Sequence, residues 1–338
     1  MVKQLNLVTD VAGVRVGNAH DSSLMSGVTV ALFDCPTVAS GVTRGGAPGG
    51  RDTGLLEPEM TVPGVHAVVL SGGSAFGLDA AGGVAGSLRQ RDVGFQVGSV
   101  WVPLVVQAIT FDLLNGGDKA WGRMPPYWDL GWQAAEQATA GAFDLGSVGG
   151  GYGAGTANLR GGLGSASAVT AGGFRVAALS IVNAIGTVTV GDGPHFWSAP
   201  FEVANEFGGL GFPTAVAPGA LDLRTKGGSP PSTTIALVVT DAILTKAQAK
   251  RLAIMADDGI AKAVRPAHAP MDGDTVFAVS TLAKPMADGS RDLTEIGMAA
   301  ADCLARAVAR GVYEAADTPT GWVGPPAYRQ RFRTRPSP

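Results

Sequence analysis

The sequence predicts a layered α/β protein, and three observations carry that expectation. Apolar, β-branched runs of strand length stand at 27–33, 65–71, 175–183, 185–190, 234–240 and 275–281. Stretches with helical spacing stand between and after them, at 76–91, 101–115, 129–140, 245–264 and 292–313. The composition, 46% hydrophobic and 16% charged, is that of a chain burying most of its length. Strands and helices in these proportions fit sheets covered by helices. Periodicity alone does not separate a four-layer sandwich from a doubly wound sheet.

The first strands read GVTVALF and VHAVVLS, both rich in branched apolar residues. The glycine-dense SGGSAFG turn leads into the helix predicted over 76–91, whose small residues allow close packing. The run TIALVVT at 234–240 and TVFAVST at 275–281 are the strongest strand candidates. Thr245 and Gln248 form a capping box for the helix over 245–264, and Pro266 helps end it. In the last helix Ile296, Ala300, Leu304, Ala307 and Gly311 fall on one face at intervals of three and four.

No low-complexity linker divides the 338 residues, so one domain over 1–338 is expected. A net charge of −3 provides no basic footprint for nucleic acid. No run of 18 or more apolar residues points to a membrane span. The N-terminal MVKQLNLVTDVAG lacks the apolar core of a secretory signal, so a cytoplasmic protein is expected. Cys35 and Cys303 fit two buried thiols in a reducing compartment. His20, His66, His195 and His268 lack metal-ligand spacing and read as turn or surface histidines. No cofactor or metal is expected: GGSAFG (72–77) and GGGYGAGTA (149–157) miss the registers of phosphate-binding loops and read as tight turns lining a pocket. Trp101, Phe111, Tyr127 and Trp128 read as core and interface, with Phe111 also a candidate for the substrate site. The tail from Gly321, with Arg329, Arg331, Arg333 and Arg335, reads as a mobile or subunit-clasping segment.

Two segments carry chemistry. In STTIALVVTD a hydroxyl cluster, Ser232-Thr233-Thr234, meets a buried strand after the turn-rich KGGSPP. A threonine there can attack the carbonyl before it; once it begins a chain, its own α-amine can serve as its base. An ordinary loop-to-strand junction is the plainer reading of this segment alone. In PMDGDTVFAVS, Asp272 and Asp274 are two apart at a strand entrance, where alternate residues share a face. A solvated turn is the plainer reading there. Crowded carboxylates share protons, so the pair could act as a coupled acid/base unit.

Together with GVRVGNAH, GVTVALF, TRGGAPGGRDTGLLEPE, HAVVLSGGSAFGLDAAGGV, LRGGLGSAS and VNAIG, in order along the chain, these segments resemble the DmpA-type self-processing aminopeptidases. That family includes L-aminopeptidase/D-esterases, β-peptidyl aminopeptidases and nylon-oligomer hydrolases. The resemblance implies a four-layer αββα sandwich of the N-terminal-nucleophile kind. It implies cleavage of the Ser232–Thr233 bond into chains 1–232 and 233–338, with Thr233 as nucleophile. Asp272 and Asp274 then correspond to the acidic pair and Asn183 to the oxyanion-stabilising amide. A lysine that the nylon-oligomer hydrolases carry in the segment matching 153–162 is missing, and Asn158 or Arg160 is the nearest candidate; Asn158 is therefore placed with Phe111 in the substrate site. The implied substrates are small peptides or amide oligomers, and the implied assembly is a homotetramer. An acyltransferase of the ornithine acetyltransferase type, or a noncatalytic binding relative, is the alternative.

Overall fold

The computed structural model describes residues 4–227 and 232–332. In chain order its strands are β1 (Val14–Asp21), β2 (Ser26–Thr43), β3 (Gly50–Arg51), β4 (Val65–Ser71), β5 (Phe95–Val97), β6 (Val100–Val102), β7 (Val105–Ile109), β8 (Leu163–Val169), β9 (Arg175–Asn183), β10 (Thr233–Ala242) and β11 (Thr275–Lys284). Its helices are α1 (Ser74–Gly77), α2 (Ala80–Gln90), α3 (Tyr127–Glu136), α4 (Lys246–Ala263), α5 (Gly289–Tyr313) and α6 (Tyr328–Arg331).

Nine of the described strands join in the order β3-β7-β4-β2-β11-β10-β9-β8, with β1 also on β2. The long β2 belongs to two sheets. Its first half pairs with β1 and β4, the register shifts between Leu32 and Thr37, and its second half pairs with β11.

Side-chain alternation then builds four layers. On the first sheet Val28, Val30 and Leu32 face α2 and α3, where they meet Val84 and Leu130. Ala31 and Phe33 point the other way and share a core with Leu179, Ile181, Ile235, Leu237 and Phe277 of the second sheet. The opposite residues of those strands, Val176, Ala178, Val182, Ala236 and Val238, face α4 and α5. This is the αββα sandwich expected from the resemblance. In α5, Ile296, Ala300, Leu304 and Ala307 are all buried on that outer face, as their spacing predicts. Gly164 on β8 lets α5 approach closely: a Cβ there would lie 1.8 Å from the Ala307 carbonyl oxygen.

Several expectations change. Residues 101–115 form no helix; they supply the end of β6 and all of β7, which runs parallel to β4. A five-residue run buried throughout carries no period, so strand and helix look alike in sequence. No strand spans 185–190: Thr187 and Thr189 make only isolated bridges, to Arg265 and Phe196. Cys303 is buried but Cys35 is exposed. The tail packs back on its own chain as far as Phe332: Tyr328 is buried against Phe196 and Tyr313, and Arg331 pairs with Asp192. Arg333 and Arg335 lie outside the described residues. Of the four aromatics, Tyr127 is fully buried and bonded to Ser26, whereas Trp128 is exposed and stacks on Trp132. Among the described residues no helix is long and apolar enough to cross a membrane.

Candidate active site

Strand register brings the predicted residues together. β10 begins at Thr233, directly opposite Asn183 at the end of antiparallel β9. On its other side β10 runs parallel to β11, and Ser232 bridges Asp272 just before that pairing starts. Thr233, Asn183, Asp272 and Asp274 are all buried.

The peptide bond before Thr233 is gripped on its carbonyl. Thr233 Oγ1 donates to the Ser232 carbonyl oxygen, and the Gly273 N–H donates to the same oxygen at 2.9 Å. Glycine is needed at 273 for contact reasons: a Cβ there would lie 2.8 Å from Thr233 Oγ1 and 2.9 Å from the Ala47 carbonyl oxygen.

The turn carrying the two aspartates is held by the TRGGAPGG loop. Arg44 and Gly45 donate backbone N–H groups to the Asp274 carbonyl, and Ala47 donates to that of Asp272 at 2.7 Å. Gly45 packs so tightly that a Cβ would fall 2.4 Å from the Asp272 carbonyl oxygen. The glycines of this motif therefore position the acidic turn.

The two carboxylates have different surroundings. Asp274 Oδ1 accepts the Thr234 N–H at 2.6 Å. Its Oδ2 accepts the backbone N–H of His268 at 3.1 Å and lies 2.8 Å from His268 Nδ1. Neither carboxylate oxygen of Asp272 lies in hydrogen-bonding geometry with a described partner, although the nearby Ala269 backbone and the Lys226 charge favour its anion. Burial, with Asp274 alongside, lifts Asp272 to about 7, so it holds a proton into the neutral range.

His268 is not the turn or surface histidine expected. Its Nε2 lies 3.2 Å from Asp257 Oδ2 on α4, so the ring is held between two buried carboxylates. Burial alone would lower its pKa, but hydrogen bonds and charge from Asp257 and Asp274 outweigh that and raise it to about 10. His66 also differs: it is a core histidine accepting from the Leu104 N–H. Nothing in the sequence singles out Asp257, which sits mid-helix, and the spacing from His268 to Asp274 follows no known motif.

Asn183 is fixed from three directions. Its Oδ1 accepts the Gly155 N–H at 3.0 Å and Lys226 Nζ at 2.9 Å, while its Nδ2 donates to the Phe111 carbonyl at 2.9 Å. A lysine does reach Asn183 in the structure, and it is Lys226. It arrives from the loop before Thr233, not from the glycine-rich segment, which supplies Gly155 instead. Burial lowers Lys226 to about 8, against the opposing pull of Asp272 and Asp112.

The two residues nominated in its place sit elsewhere. Asn158 donates to Thr189 Oγ1 at 2.7 Å and accepts from Thr156, away from the cavity lining. Arg160 is buried and bonds the carbonyls of Ala316 and Asp317, with its guanidinium over Trp322. It anchors the C-terminal segment.

A cavity of about 380 Å³ opens beside Asn183 and Lys226. Phe111 lines it, as nominated, together with Gly155, Trp322 and Pro325. Thr233 is not in the lining, but its cross-strand neighbour Asn183 is. GGSAFG, the other glycine cluster, turns at residues 72–73 into α1, and the Gly73 N–H bonds Asp112.

Comparison with known proteins agrees with this layout. The model of Peptidase family S58 matches residues 6–323. An uncharacterized aminopeptidase of Mycobacterium tuberculosis is 41% identical over 350 residues, covering 97% of this chain and 98% of the relative. A 6-aminohexanoate-oligomer endohydrolase of Agromyces sp. is 27% identical over 286 residues, covering 80% of this chain and 74% of that protein. Among solved structures, a Burkholderia sp. beta-aminopeptidase matches with a TM-score of 0.68 at 20% identity, over 98% of this chain and 92% of the other. The L-aminopeptidase D-Ala-esterase/amidase of Ochrobactrum anthropi, a variant of the Ntn hydrolase fold, matches with a TM-score of 0.67 at 22% identity, over 97% and 92%. By family model, sequence and fold, the chain belongs to peptidase family S58 and is a hydrolase of the aminopeptidase/amidohydrolase kind.

Proposed function

We propose that the chain cleaves its own Ser232–Thr233 bond and that Thr233 is then the nucleophile for hydrolysing small peptides or amide oligomers. The observation that carries this is the grip on the Ser232 carbonyl, whose oxygen receives both the nucleophile's hydroxyl and the Gly273 N–H.

Processing proceeds by an N-to-O acyl shift. Thr233 Oγ1 attacks the Ser232 carbonyl carbon, and its proton passes to Asp272, the carboxylate with open oxygens. The Gly273 N–H stabilises the developing oxyanion. The C–N bond breaks, the proton moves to the departing Thr233 nitrogen, and an ester joins Ser232 to Thr233. Water hydrolyses the ester, leaving a Ser232 carboxylate and a Thr233 α-amine. A free α-amine has an ordinary pKa of roughly 7.7–8.0, suited to deprotonating its own hydroxyl near neutral pH. In turnover the hydroxyl attacks the substrate amide, the Asn183 side-chain N–H faces the oxyanion, and an acyl-enzyme forms and is hydrolysed.

The cavity's modest volume and its Phe111 and Trp322 walls favour an aminoacyl-sized apolar group over a folded protein. The assembly is a homotetramer in this reading; the hairpin β5–β6, with Phe95, Val97, Val100 and Val102 all exposed, supports buried subunit contacts.

The test is Thr233→Ala, assayed on aminoacyl p-nitroanilides and 6-aminohexanoate oligomers. The variant should stay a single folded chain and hydrolyse none of them. A processed or active Thr233→Ala protein would refute the assignment.

A further inference from the structure

Resting on the reading that the aspartate pair serves Thr233, we propose that His268, clamped by Asp257, is a positioning residue that keeps Asp274 ionised and so leaves Asp272 as the proton carrier. Geometry alone carries this far. The backbone N–H and Nδ1 of His268 both reach Asp274 Oδ2, at 3.1 and 2.8 Å, and Nε2 reaches Asp257 Oδ2 at 3.2 Å. With both carboxylates ionised they can only accept, so both ring nitrogens donate and the ring is an imidazolium. Asp274 has its other oxygen on the Thr234 N–H. Every direction of Asp274 thus stabilises an anion. Asp272, two residues away and with no described partner in hydrogen-bonding geometry, is the member left to take the proton.

The arrangement is built at some cost. His268 sits at φ 56°, in the left-handed region that a non-glycine residue rarely adopts. Asp257 is buried in the interior of α4 with Oδ1 unpartnered among the described residues. Such features persist where the surroundings over-determine them. The acidic turn needs neither group for its own backbone, which the loop at 44–47 already holds.

The charged groups around His268 are few. Asp257 faces it from α4 and Asp274 from the start of β11. Arg44 approaches Asp257 at 3.9 Å, mostly from solvent. Lys262 and Arg265 share with His268 the lining of a second cavity of about 450 Å³. Lys262 is paired with Asp302, and Arg265 lies over Trp197, so the two carboxylates dominate the imidazolium's surroundings. They raise its pKa to about 10 against burial, so the clamp remains charged throughout the range in which Asp272, near 7, titrates.

The uncleaved chain offers a clean readout, because it has no α-amine at Thr233 to obscure the pair. The full chain would be made by cell-free synthesis at low pH and shifted to buffers from acid to alkaline, with cleavage followed on denaturing gels. In the wild type the rate should rise with pH to a midpoint near 7, as Asp272 loses its proton; Lys226, which faces Asp272 and sits at about 8, titrates just above that step in wild type and variants alike. His268→Gln removes the cation, so full ionisation of the pair needs higher pH; the midpoint should move up by about one unit. Its rate deficit, about fivefold at pH 7 and approaching about tenfold below both midpoints, should close toward alkaline pH. Asp257→Asn keeps the ring but weakens its charge, so its midpoint should move the same way by less. It serves as the second test if His268→Gln folds poorly by circular dichroism. A midpoint that stays put or falls in a folded variant would overturn the clamp while leaving processing intact. A wild-type chain that cleaves with no rise near pH 7 would overturn the pair's role, and the clamp with it. A wild-type chain that never cleaves would overturn the processing reading on which both depend.

Discussion

On one side of Thr233 lies the Asp272–Asp274 turn, tied down by backbone bonds from residues 44–47 and by His268. On the other lies Asn183, whose amide is shared among Phe111, Gly155 and Lys226 at the edge of a cavity walled by the C-terminal segment. The acidic side is buried and charged, and of its described residues only His268 reaches a cavity. The Asn183 side is open, and its parts come from five separate stretches of chain. On the proposed reading, proton handling is held rigid while the substrate wall varies: the first needs fixed distances, the second only shape and polarity.

The sharpest way to break this contrast is Gly273→Ala. A methyl group there would collide with Thr233 Oγ1 and the Ala47 carbonyl. Because backbone on both sides is tied by hydrogen bonds, the strain falls on the Thr233 side chain. Processing on a denaturing gel should fall by more than about 10²-fold, comparable to losing a principal catalytic donor; a normal rate would show that the acidic side is not tightly set. Asn183→Ala should lower kcat by about 10²–10³-fold through loss of an oxyanion donor. A kcat close to wild type would remove Asn183 from the chemistry.

Trp322→Ala opens the cavity wall and removes the ring beneath Arg160. It should change kcat/KM between leucyl and glycyl p-nitroanilides by about tenfold, in line with 1–3 kcal/mol per apolar contact in a substrate pocket. An equal fall for both substrates would instead point to a disturbed scaffold. The smallest effect expected is at Thr245, which caps α4, the helix that carries Asp257. Thr245 Oγ1 accepts the Gln248 N–H, and Gln248 Oε1 accepts the Thr245 N–H at 2.8 Å. Thr245→Ala should cost about 1 kcal/mol in denaturant unfolding. Turnover should remain close to wild type, and a large loss of turnover would mean that α4 reaches further into the site than its clamp.

Much of the acidic side was legible in the sequence, because its parts are short local motifs. Thr233 heads a strand, Asp272 and Asp274 head the next, and the glycines of TRGGAPGG stand where close approach is needed. Asn183 closes a strand whose register then carries it to Thr233. What stayed hidden depends on long-range packing. Asp257 looks like any polar residue of a helix, and His268 like a loop histidine, until α4 and β11 are brought together. Lys226 reads as part of a flexible approach, although it is buried against Asn183. The strand over 105–109 was mistaken for helix because every position is buried, so neither period shows. Arg329 and Arg331 looked like a loose basic tail because their partners, Glu314 and Asp192, lie outside the segment.

The central claim is that Thr233 becomes a chain start. N-terminal sequencing of the purified protein's smaller fragment tests it most directly. The account predicts two fragments, residues 1–232 and 233–338, with the second beginning Thr-Thr-Ile. A single uncut chain in a preparation that hydrolyses substrate, or a fragment beginning at any other residue, would contradict it.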